Sequence, residues 1–550
     1  MFTVEKETAS MLTRDGVRLD ADVYRPIASG SFPVLLMRQP YGRAIASTVV
    51  YAHPSWYAAH GYIVVIQDVR GRGSSEGEFR LFAHEIADGE DTVQWVASLP
   101  GSTGAVGMYG FSYQGMTQLY AAVNRPSALK TICPAMIGYD LYREWAYENG
   151  AFCLQANLAW AIQLAAETAR LQGKTIAHHT LATAGKNLPL SDLVPTRSGL
   201  LSSFEPDSFY FEWLNHPEPD SYWHHLSPQS YFAEVDLPML HIGGWFDPFL
   251  RGTLHLYTEM AERSQWQQQL IVGAWAHLPW GRKAGAIDFG AEATSPCDLW
   301  QLSWFDHWLK GKETGILERP PVWLFEMGSN QWRGGSSWNE RQPTPFYLSS
   351  TGLANIDDRD GILTPTPPDS PASSPPDTIV HDPWRPVSAL GGHATIPAGM
   401  FDRSAIDSRT DVLTYTSEPF TTAIHLVGDI HLEIECQADM PSFDLCAVLS
   451  DVQPNGGVYN FSQGYIHLPA EAGSCPRTIV LPLQPTCICI QPGHALRLSI
   501  SAACFPAYPV NPGTGQLVGE TRLIDQQIIT ITLQTNGDRP AQIRLPIVPA

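Results

Sequence analysis

Short apolar runs separated by helix-like segments dominate the first 135 residues of the chain. Four of the runs are nearly continuous in apolar residues, which is typical of strands buried on both faces of a parallel sheet. They read PVLLMRQ (33–39), YIVVIQD (62–68), AVGMYG (105–110) and LKTICPA (129–135). Apolar positions at helical spacing lie before and after the third run, and a hairpin turning at Asp15-Gly16 is predicted ahead of the first. This alternation predicts an α/β fold.

The strand pattern disappears between residues 140 and 230. There, LQANLAWAIQLAAETARLQG carries apolar residues along one helical face and ends at Gly173. Strand and helix patterns resume over 231–318, with the runs LPMLHIGGW and QLIVGAW and a helix ending at Gly311. We therefore predict a helical cap (140–230) inserted into an α/β core (1–139 and 231–318). Such caps commonly shape a substrate pocket.

From residue 319 the chain changes to short strand-like pieces separated by turn residues. Examples are PVWLFEM, TPFYLSS, IHLEIEC, YNFSQGYIHL and ALRLSISA. Their spacing predicts an all-β sandwich of jelly-roll type over 319–550. Within it, TPTPPDSPASSPP (364–376) is rich in Pro and Ser and is expected to form an exposed loop.

Composition and charge exclude several classes of function. The 550-residue chain has a formal net charge of -21, which would repel nucleic acids and anionic membranes. No apolar run approaches the length of a membrane span, and the first residues lack the apolar stretch of a signal peptide. Nine cysteines without a C-x-x-C pair favour free thiols in a cytoplasmic protein. We expect no nucleic-acid partner, no membrane partner, no metal and no cofactor.

Ser112 lies where a strand-like run meets a helix-like one, in the sequence GFSYQG (110–115). A tight strand–turn–helix junction strains the serine, requires small neighbours and directs the hydroxyl away from the sheet. The following backbone N–H, that of Tyr113, then points at a developing oxyanion. The second glycine stands one position later than in the usual G-x-S-x-G pattern. A plain glycine-rich turn therefore remains the alternative to a nucleophile.

Partners for a nucleophilic serine are expected in the order acid, then histidine, each at the end of a later strand. Asp247 follows the run HIGGWF, and His277 follows LIVGAWA. Open α/β sheets place their chemistry at such strand ends. Asp236 is a weaker candidate for the acid because it precedes its strand. His241, inside a strand, is expected to be a core histidine.

Several motifs together resemble the CocE/NonD family of serine hydrolases, which includes esterases, acylases and X-Pro dipeptidyl peptidases. They are GFSYQG, RQPYGR, QDVRGRGSSEGEF, DGEDTVQW, GGWFDPF and GAWAH. The resemblance implies an α/β-hydrolase core, a helical cap and a C-terminal jelly-roll (galactose-binding-like) domain. It also implies a triad of Ser112, Asp247 and His277. The hydroxyl of Tyr41 would complete the oxyanion hole with the Tyr113 N–H, and a homo-oligomer is possible.

A dinucleotide-binding loop is the first competing interpretation, because Gly71-x-Gly73 follows a strand-like run. Such a loop must open directly into a helix, and EGEFRLFAHE intervenes here. We expect instead that Asp68 and Arg70 pair beneath the active site.

A non-catalytic carbohydrate-binding protein is the second competing interpretation. Jelly-roll domains often bind sugars, and Trp332, Trp338 and Trp384 offer rings on which a sugar could stack. Isolated tryptophans more often belong to the core.

The substrate class depends on residues near the predicted triad and in the cap. Four aromatic residues favour an apolar or aromatic acyl pocket, and hence an ester: Phe111, Trp145, Trp245 and Phe249. Glu144 and Glu148 would hold a substrate ammonium in an X-Pro dipeptidyl peptidase or an α-amino acid ester hydrolase or acylase; otherwise they are solvated charges. We predict a serine hydrolase that cleaves a small ester through an acyl-enzyme, with those activities as alternatives.

Overall fold

The first part of the chain forms six strands and three helices. The computed structural model describes residues 1–44, 48, 50–339, 343–367, 375–469, 475–517, 519–535 and 540–549. The strands are β1 (Val4–Leu12), β2 (Arg18–Pro26), β3 (Phe32–Gln39), β4 (Ile63–Asp68), β5 (Ser102–Phe111) and β6 (Leu129–Ala135). The helices are α1 (Pro54–Ala59), α2 (Glu85–Ala97) and α3 (Tyr113–Ala122). Strands β1 and β2 pair antiparallel around Gly16, whose φ is +83°, which confirms the predicted hairpin.

A mainly helical segment follows β6. It begins with a π-helical turn (Tyr142–Ala146) and a two-stranded ribbon of β7 (Tyr147–Glu148) and β8 (Ala151–Phe152). Five helices come next: α4 (Leu154–Leu171), α5 (Thr175–Ala184), α6 (Gly199–Phe204), α7 (Phe209–Asn215) and α8 (Ser221–Leu226). Helix α4 is the one predicted from the apolar face that ends at Gly173.

The chain then returns to the first sheet. The next strands are β9 (Leu240–Phe246), β10 (Gln269–Ala276), β11 (Lys283–Ala284), β12 (Ile287–Asp288), β13 (Val322–Glu326) and β14 (Gln331–Gly335). The helices are α9 (Leu250–Arg263) and α10 (Cys297–Lys310), and α10 ends at Gly311 as predicted. Ten strands form one sheet in the order β1-β2-β4-β3-β5-β6-β9-β10-β13-β14. The seven strands from β4 to β13 run parallel, so their carboxyl ends share one edge.

Strands β13 and β14 correct one sequence-based prediction. The run PVWLFEM was expected to open the β domain at residue 319. Instead, β13 pairs parallel with β10, with Val322 opposite Leu270, and β14 forms the edge of the first sheet. A short apolar run has the same pattern in either position, because it is buried in both.

The first sheet is buried on both faces, which explains its continuous apolar runs. On β3, Leu36 belongs to a core cluster that includes Val93 of α2 and Leu119 of α3. Its neighbour Leu35 points the other way, into a cluster with Trp304 of α10. Successive side chains of a strand alternate between faces, so both members of each pair must be apolar.

In the parts of the chain that the structure describes, no helix is both long and apolar enough to cross a membrane.

The remaining chain is almost entirely β. Its strands are β15 (Thr344–Ser349), β16 (Ile362–Thr364), β17 (Asp377–His381), β18 (Val412–Thr416), β19 (Ile424–Ala438), β20 (Phe443–Val452), β21 (Val458–Leu468), β22 (Arg477–Ile490), β23 (Ala495–Ser501), β24 (Ile529–Gln534), β25 (Gln542–Leu545) and β26 (Ile547–Val548). A short α-helix, α11 (Ser404–Asp407), and a 3-10 turn (Leu523–Asp525) interrupt them. Most strand pairs are antiparallel, and β19 is central because it pairs with β22, β24, β25 and β26. The β-rich C-terminal domain is thus confirmed, the jelly-roll topology stays a prediction, and part of the Pro/Ser-rich loop (368–374) lies outside the described residues.

Candidate active site

Ser112 occupies the tight turn between β5 and α3. Its φ is +59°, in the left-handed region that residues other than glycine rarely adopt. A Cβ on Gly110, whose φ is +142°, would lie 2.5 Å from the Cβ of Gln114. The junction therefore has the strained serine and the small neighbour that a nucleophile elbow requires.

The late second glycine has a packing reason. A Cβ at Gly115 would lie 2.4 Å from Cγ2 of Ile137 and 2.8 Å from the carbonyl oxygen of Ala135. Helix α3 begins here directly against the end of β6, and any larger residue would push the two apart. The requirement for glycine thus falls on residue 115 rather than on residue 114.

Asp247 and His277 lie at the carboxyl ends of two adjacent parallel strands, β9 and β10. The Nδ1 atom of His277 is 2.7 Å from Oδ1 of Asp247. Asp247 is completely buried, whereas 28% of the His277 side chain is exposed. Burial raises the pKa of Asp247, and the hydrogen bond and charge of His277 oppose that rise. A carboxylate can only accept here, so Nδ1 carries the proton and Nε2 is left as a potential base.

The hydroxyl of Tyr41, in the loop after β3, lies beside Ser112. It hydrogen-bonds the serine side chain and accepts a hydrogen bond from Nε1 of Trp160 at 3.1 Å. Burial raises the pKa of Tyr41 to about 12; the Trp160 hydrogen bond, the charge of Arg72 and the Ser112 hydrogen bond oppose the rise. The phenol therefore keeps its proton at neutral pH and remains a hydrogen-bond donor.

The backbone N–H of Tyr113 is the first of helix α3, and the first N–H groups of a helix have no intrahelical acceptor. The Tyr113 side chain is buried and donates to Oε1 of Glu85 at 2.8 Å, which fixes the residue. The positive end of the helix dipole lies at the same place. The region beside Ser112 can therefore stabilise negative charge.

Glu144 and Glu148 are buried, contrary to the expectation of solvated charges, and both have internal partners. Glu144 accepts from the backbone N–H groups of Tyr139 and Asp140 at 2.8 and 2.7 Å and pairs with Nδ1 of His255 at 2.6 Å. With three donors already on this carboxylate, it is poorly placed to bind a substrate ammonium.

Glu148 joins the three parts of the molecule. It forms an ion pair with Arg251 of α9 at 2.8 Å and accepts from His393 at 2.9 Å and from the Tyr508 hydroxyl at 2.5 Å. Burial alone would raise the pKa of Glu148, but the charges of Arg251 and His393 outweigh it and hold the pKa well below its usual value. This carboxylate, too, is occupied by the protein's own side chains.

The β domain also reaches the predicted acid directly. Gln484, on β22 and 1% exposed, donates from Nε2 to the backbone carbonyl of Asp247 at 2.9 Å. His393 adds a charge that lowers the pKa of Asp247. Sequence reasoning missed both residues, because each contact joins positions more than a hundred residues apart and neither residue carries a local signal.

Aromatic rings surround His277. The ring centroids of Phe111 and Phe249 lie 5.4 and 5.1 Å from that of His277. Trp145 stacks on Phe249 with centroids 4.0 Å apart, and Trp160 lies 5.2 Å from Trp145. Three of the four predicted pocket aromatics are thus brought together, and Trp160 joins them without having been predicted.

Trp245 does not join this group. It is 1% exposed, donates from Nε1 to the carbonyl of Phe325 on β13 at 2.7 Å, and packs in the core cluster shared with the β domain. Alternation along β9 explains the difference, because the side chain points into the protein core rather than over the sheet edge.

The structure corrects the predicted pairing of Arg70 with Asp68, and it shows where Asp236 lies. Arg70 does not pair with Asp68: it contacts Asp88 and Asp15, while Asp68 pairs with Arg43 at 2.5 Å. The glycine-rich turn after β4 directs Arg70 away from the strand end and toward α2. Asp236 accepts a hydrogen bond from Ser264 ahead of β9, at the end of the strand opposite to Asp247.

One group of metal-type ligands occurs among the residues that the structure describes: Glu326, His425 and Cys489. It belongs to β13, β19 and β22. Arg333 lies against it, with Nε 2.9 Å from Glu326 and Nη2 3.0 Å from Nδ1 of His425. This guanidinium already supplies the positive charge that a metal ion would bring, so the group does not fit a metal site.

The three tryptophans considered for sugar binding do not form one platform. The indole of Trp332 donates to the carbonyl of Glu292, and that of Trp338 donates to the Thr258 hydroxyl; both rings pack against a core cluster. Trp384 is 52% exposed but donates to the carbonyl of Leu523.

Comparison with known proteins agrees with this architecture. A family model described as X-Pro dipeptidyl-peptidase (S15 family) matches residues 15–279, and one described as X-Pro dipeptidyl-peptidase C-terminal non-catalytic domain matches residues 314–543. Cocaine esterase from Rhodococcus sp. (strain MB1 Bresler) is 30% identical over 97% of each chain.

Solved structures share the whole fold. An aminopeptidase from a marine sediment Thaumarchaeota archaeon superposes with a TM-score of 0.82 at 22% identity, and an α-amino acid ester hydrolase with 0.80 at 21%. Each covers 100% of this chain and 97% of its own. These matches confirm the α/β-hydrolase core with a β-rich C-terminal domain. On the identity and coverage shared with cocaine esterase, the chain belongs to the CocE/NonD family of serine hydrolases.

Proposed function

We propose that this protein hydrolyses small-molecule esters with an apolar or aromatic acyl group through an acyl-enzyme on Ser112. The observation that carries the proposal is the contrast around His277. Aromatic rings approach it on two sides, while Glu144 and Glu148 are occupied by internal partners. The pocket thus favours an uncharged acyl group over an ammonium. Similarity to a protein named cocaine esterase supports an ester bond as the target.

We infer the mechanism from the Asp247–His277 and Tyr41–Ser112 hydrogen bonds together with the general chemistry of serine hydrolases. The Ser112 hydroxyl attacks the acyl carbon, and Nε2 of His277 takes its proton while Asp247 stabilises the imidazolium. The Tyr41 hydroxyl and the Tyr113 N–H donate to the oxyanion. His277 then protonates the leaving alkoxide, and a water molecule, activated by the same imidazole, releases the acid and restores the serine.

An X-Pro dipeptidyl peptidase or α-amino acid ester hydrolase remains the second candidate. The match to the S15 family model and the likeness to an aminopeptidase support it. Both alternatives require a carboxylate for the substrate ammonium, and the two predicted ones are buried in internal ion pairs.

The proposal extends to the cellular compartment and to the partners of the enzyme. All nine cysteines are free, which suits a reducing compartment, and we assign the enzyme to the cytoplasm. The net charge of -21 supports a small-molecule partner over nucleic acid or an anionic membrane. Assembly into a homo-oligomer stays a prediction.

The test compares three substrates on one enzyme preparation: a nitrophenyl ester of an aromatic acid, an α-amino ester and an X-Pro anilide. We expect the aromatic ester to have the highest kcat/KM. Ser112→Ala should abolish its turnover and also prevent labelling by a fluorophosphonate. Phe249→Ala should raise KM for the aromatic ester but not for the matching acetyl ester. Faster cleavage of the X-Pro anilide, or undiminished turnover by Ser112→Ala, would refute the proposal.

A further inference from the structure

The hydrogen bond between Trp160 and Tyr41 has a defined direction. The indole N–H of tryptophan can only donate, so at 3.1 Å the phenolic oxygen of Tyr41 must be the acceptor. The single proton of the Tyr41 hydroxyl must then point elsewhere. Its other hydrogen-bond partner is the side chain of Ser112, where the oxyanion of an ester substrate would form.

Trp160 is held firmly in this position. It lies within α4, and its ring contacts those of Trp145 and Phe209, with centroids 5.2 and 5.0 Å away. On the next turn of the helix, the carbonyl of Leu164 accepts from Nη1 of Arg72 at 3.2 Å. Helix α4 therefore cannot rotate without breaking contacts on both turns, and the indole N–H stays aimed at Tyr41.

Arg72 places a positive charge beside the same helix. It is 2% exposed, its guanidinium lies 3.8 Å from the centroid of the Phe79 ring, and no carboxylate of the described residues forms an ion pair with it. Phe79 in turn contacts Tyr113, whose backbone N–H is the second predicted oxyanion donor. Arg72 thus adds a positive charge that acts on Tyr41 independently of Trp160.

We propose that Trp160 is a positioning residue for ester hydrolysis: its indole N–H occupies one lone pair of Tyr41 and directs the phenolic proton toward the oxyanion. The cap helix then contributes to transition-state stabilisation, besides shaping the pocket. Accepting one hydrogen bond also polarises a hydroxyl and strengthens the bond that it donates. This inference rests on the proposed function, because it presupposes an oxyanion beside Ser112.

The test is a double-mutant cycle on kcat for the aromatic nitrophenyl ester. Trp160→Phe keeps a ring but removes the N–H, and we expect kcat to fall about tenfold, with KM within about twofold. In a Tyr41→Phe background, where no phenolic proton remains to be directed, the same substitution should change kcat by less than about twofold. Trp160→His retains a ring N–H and should recover most of the lost kcat.

The matched control is Trp223→Phe. Trp223 is a buried cap tryptophan whose indole donates to the carbonyl of His216 at 2.9 Å, a bond of the same kind away from Tyr41. The Trp223→Phe substitution should change kcat by the same factor whether residue 41 is Tyr or Phe. Thermal melts identify any variant that fails to fold. If Trp160→Phe does not fold, the comparison of Trp160→His with the parent enzyme provides the test.

Two results would overturn the inference. The first is an equal loss of kcat from Trp160→Phe with and without the Tyr41 hydroxyl, and the second is a change confined to KM. Either result would mean that Trp160 lines the pocket but does not position the Tyr41 hydroxyl. Failure of the proposed function itself would look different, because Ser112→Ala would then retain turnover.

Discussion

The two sides of Ser112 are built in different ways. On the acid–base side, Asp247 and His277 directly follow adjacent parallel strands, and their 2.7 Å contact is a consequence of the sheet. On the oxyanion side, Tyr41 lies in a loop, and its hydroxyl is held by Trp160 of the cap. The predicted acid–base side is therefore determined by the core of the fold, whereas one of the two predicted oxyanion donors, Tyr41, is held by an inserted segment. If Trp160 positions Tyr41 as proposed, changes in the cap should alter transition-state stabilisation without disturbing the His277–Asp247 pair.

The two sides also differ in how their charge is supported. Asp247 is buried, its carbonyl is bound by Gln484, and His393 of the β domain helps to lower the pKa of Asp247. Although the C-terminal family model is described as non-catalytic, this domain thus helps to hold the predicted acid. On the oxyanion side the charge is that of Arg72, and burial lowers the pKa of this guanidinium to about 10.

Removing the charge of Asp247 should have the largest effect on activity. Asp247→Asn keeps the shape of the side chain but no longer favours the Nδ1-protonated form of His277 or stabilises the imidazolium. We expect kcat to fall by about 10³–10⁴ with little change in KM, measured on the aromatic nitrophenyl ester. The control is Asp236→Asn, because Asp236 lies at the opposite end of β9 from His277. Its kcat should stay within about twofold of the parent value. A small loss from Asp247→Asn would mean that another acid supports His277.

Neutralising Glu148 should damage stability rather than chemistry. Glu148→Gln leaves the Arg251 guanidinium without a counter-ion, and His393 without its carboxylate partner, in a largely buried site joining core, cap and β domain. Breaking such a pair costs about 3 kcal/mol in free energy of unfolding. Glu167→Gln, which breaks a surface pair with Arg170, should cost less than about 1 kcal/mol. Denaturant unfolding measures both, and equal costs would contradict a structural role for the Glu148 cluster.

Removing the Tyr41 hydroxyl tests the oxyanion side alone. Loss of one oxyanion donor typically lowers kcat by about 10²–10³, and we expect this from Tyr41→Phe with an unchanged KM. The Asp247–His277 pair should be unaffected, so the acidic limb of the pH–rate profile should keep its midpoint. A shift of that limb would show that the two sides of Ser112 are coupled.

This division also explains what the sequence could and could not reveal. Ser112, Asp247 and His277 could be predicted as a triad because strand ends in an open α/β sheet have a recognisable order along the chain. Tyr41 came only from the family resemblance, since a loop tyrosine carries no local signal. Tertiary packing determines three features that the sequence did not reveal: the burial of Glu144 and Glu148, the core position of Trp245, and the membership of β13 in the first sheet. Apolar and charged residues in short segments have the same pattern in several environments, so these features required the structure.

The last prediction concerns a stability effect confined to acidic pH, at His241, which lies at the end of β9 opposite to Asp247. It is fully buried beside Gln268, and burial lowers its pKa from 6.5 to about 4. Between these values the unfolded chain binds a proton that the folded chain does not, so stability must rise with pH in this window. At pH 4 the accumulated cost is at most about 3 kcal/mol.

His241→Gln removes this titration while keeping a polar group beside Gln268. The free energy of unfolding of the variant should therefore depend less on pH between 4 and 6.5, and it should approach or exceed that of the parent at the acidic end. The pH–rate profile should not change, because His241 lies at the far end of β9 from the site. Denaturant unfolding at several pH values measures the slope. An unchanged slope would show that His241 is protonated in the folded state, and an altered pH–rate profile would contradict the separation between the strand core and the acid–base pair.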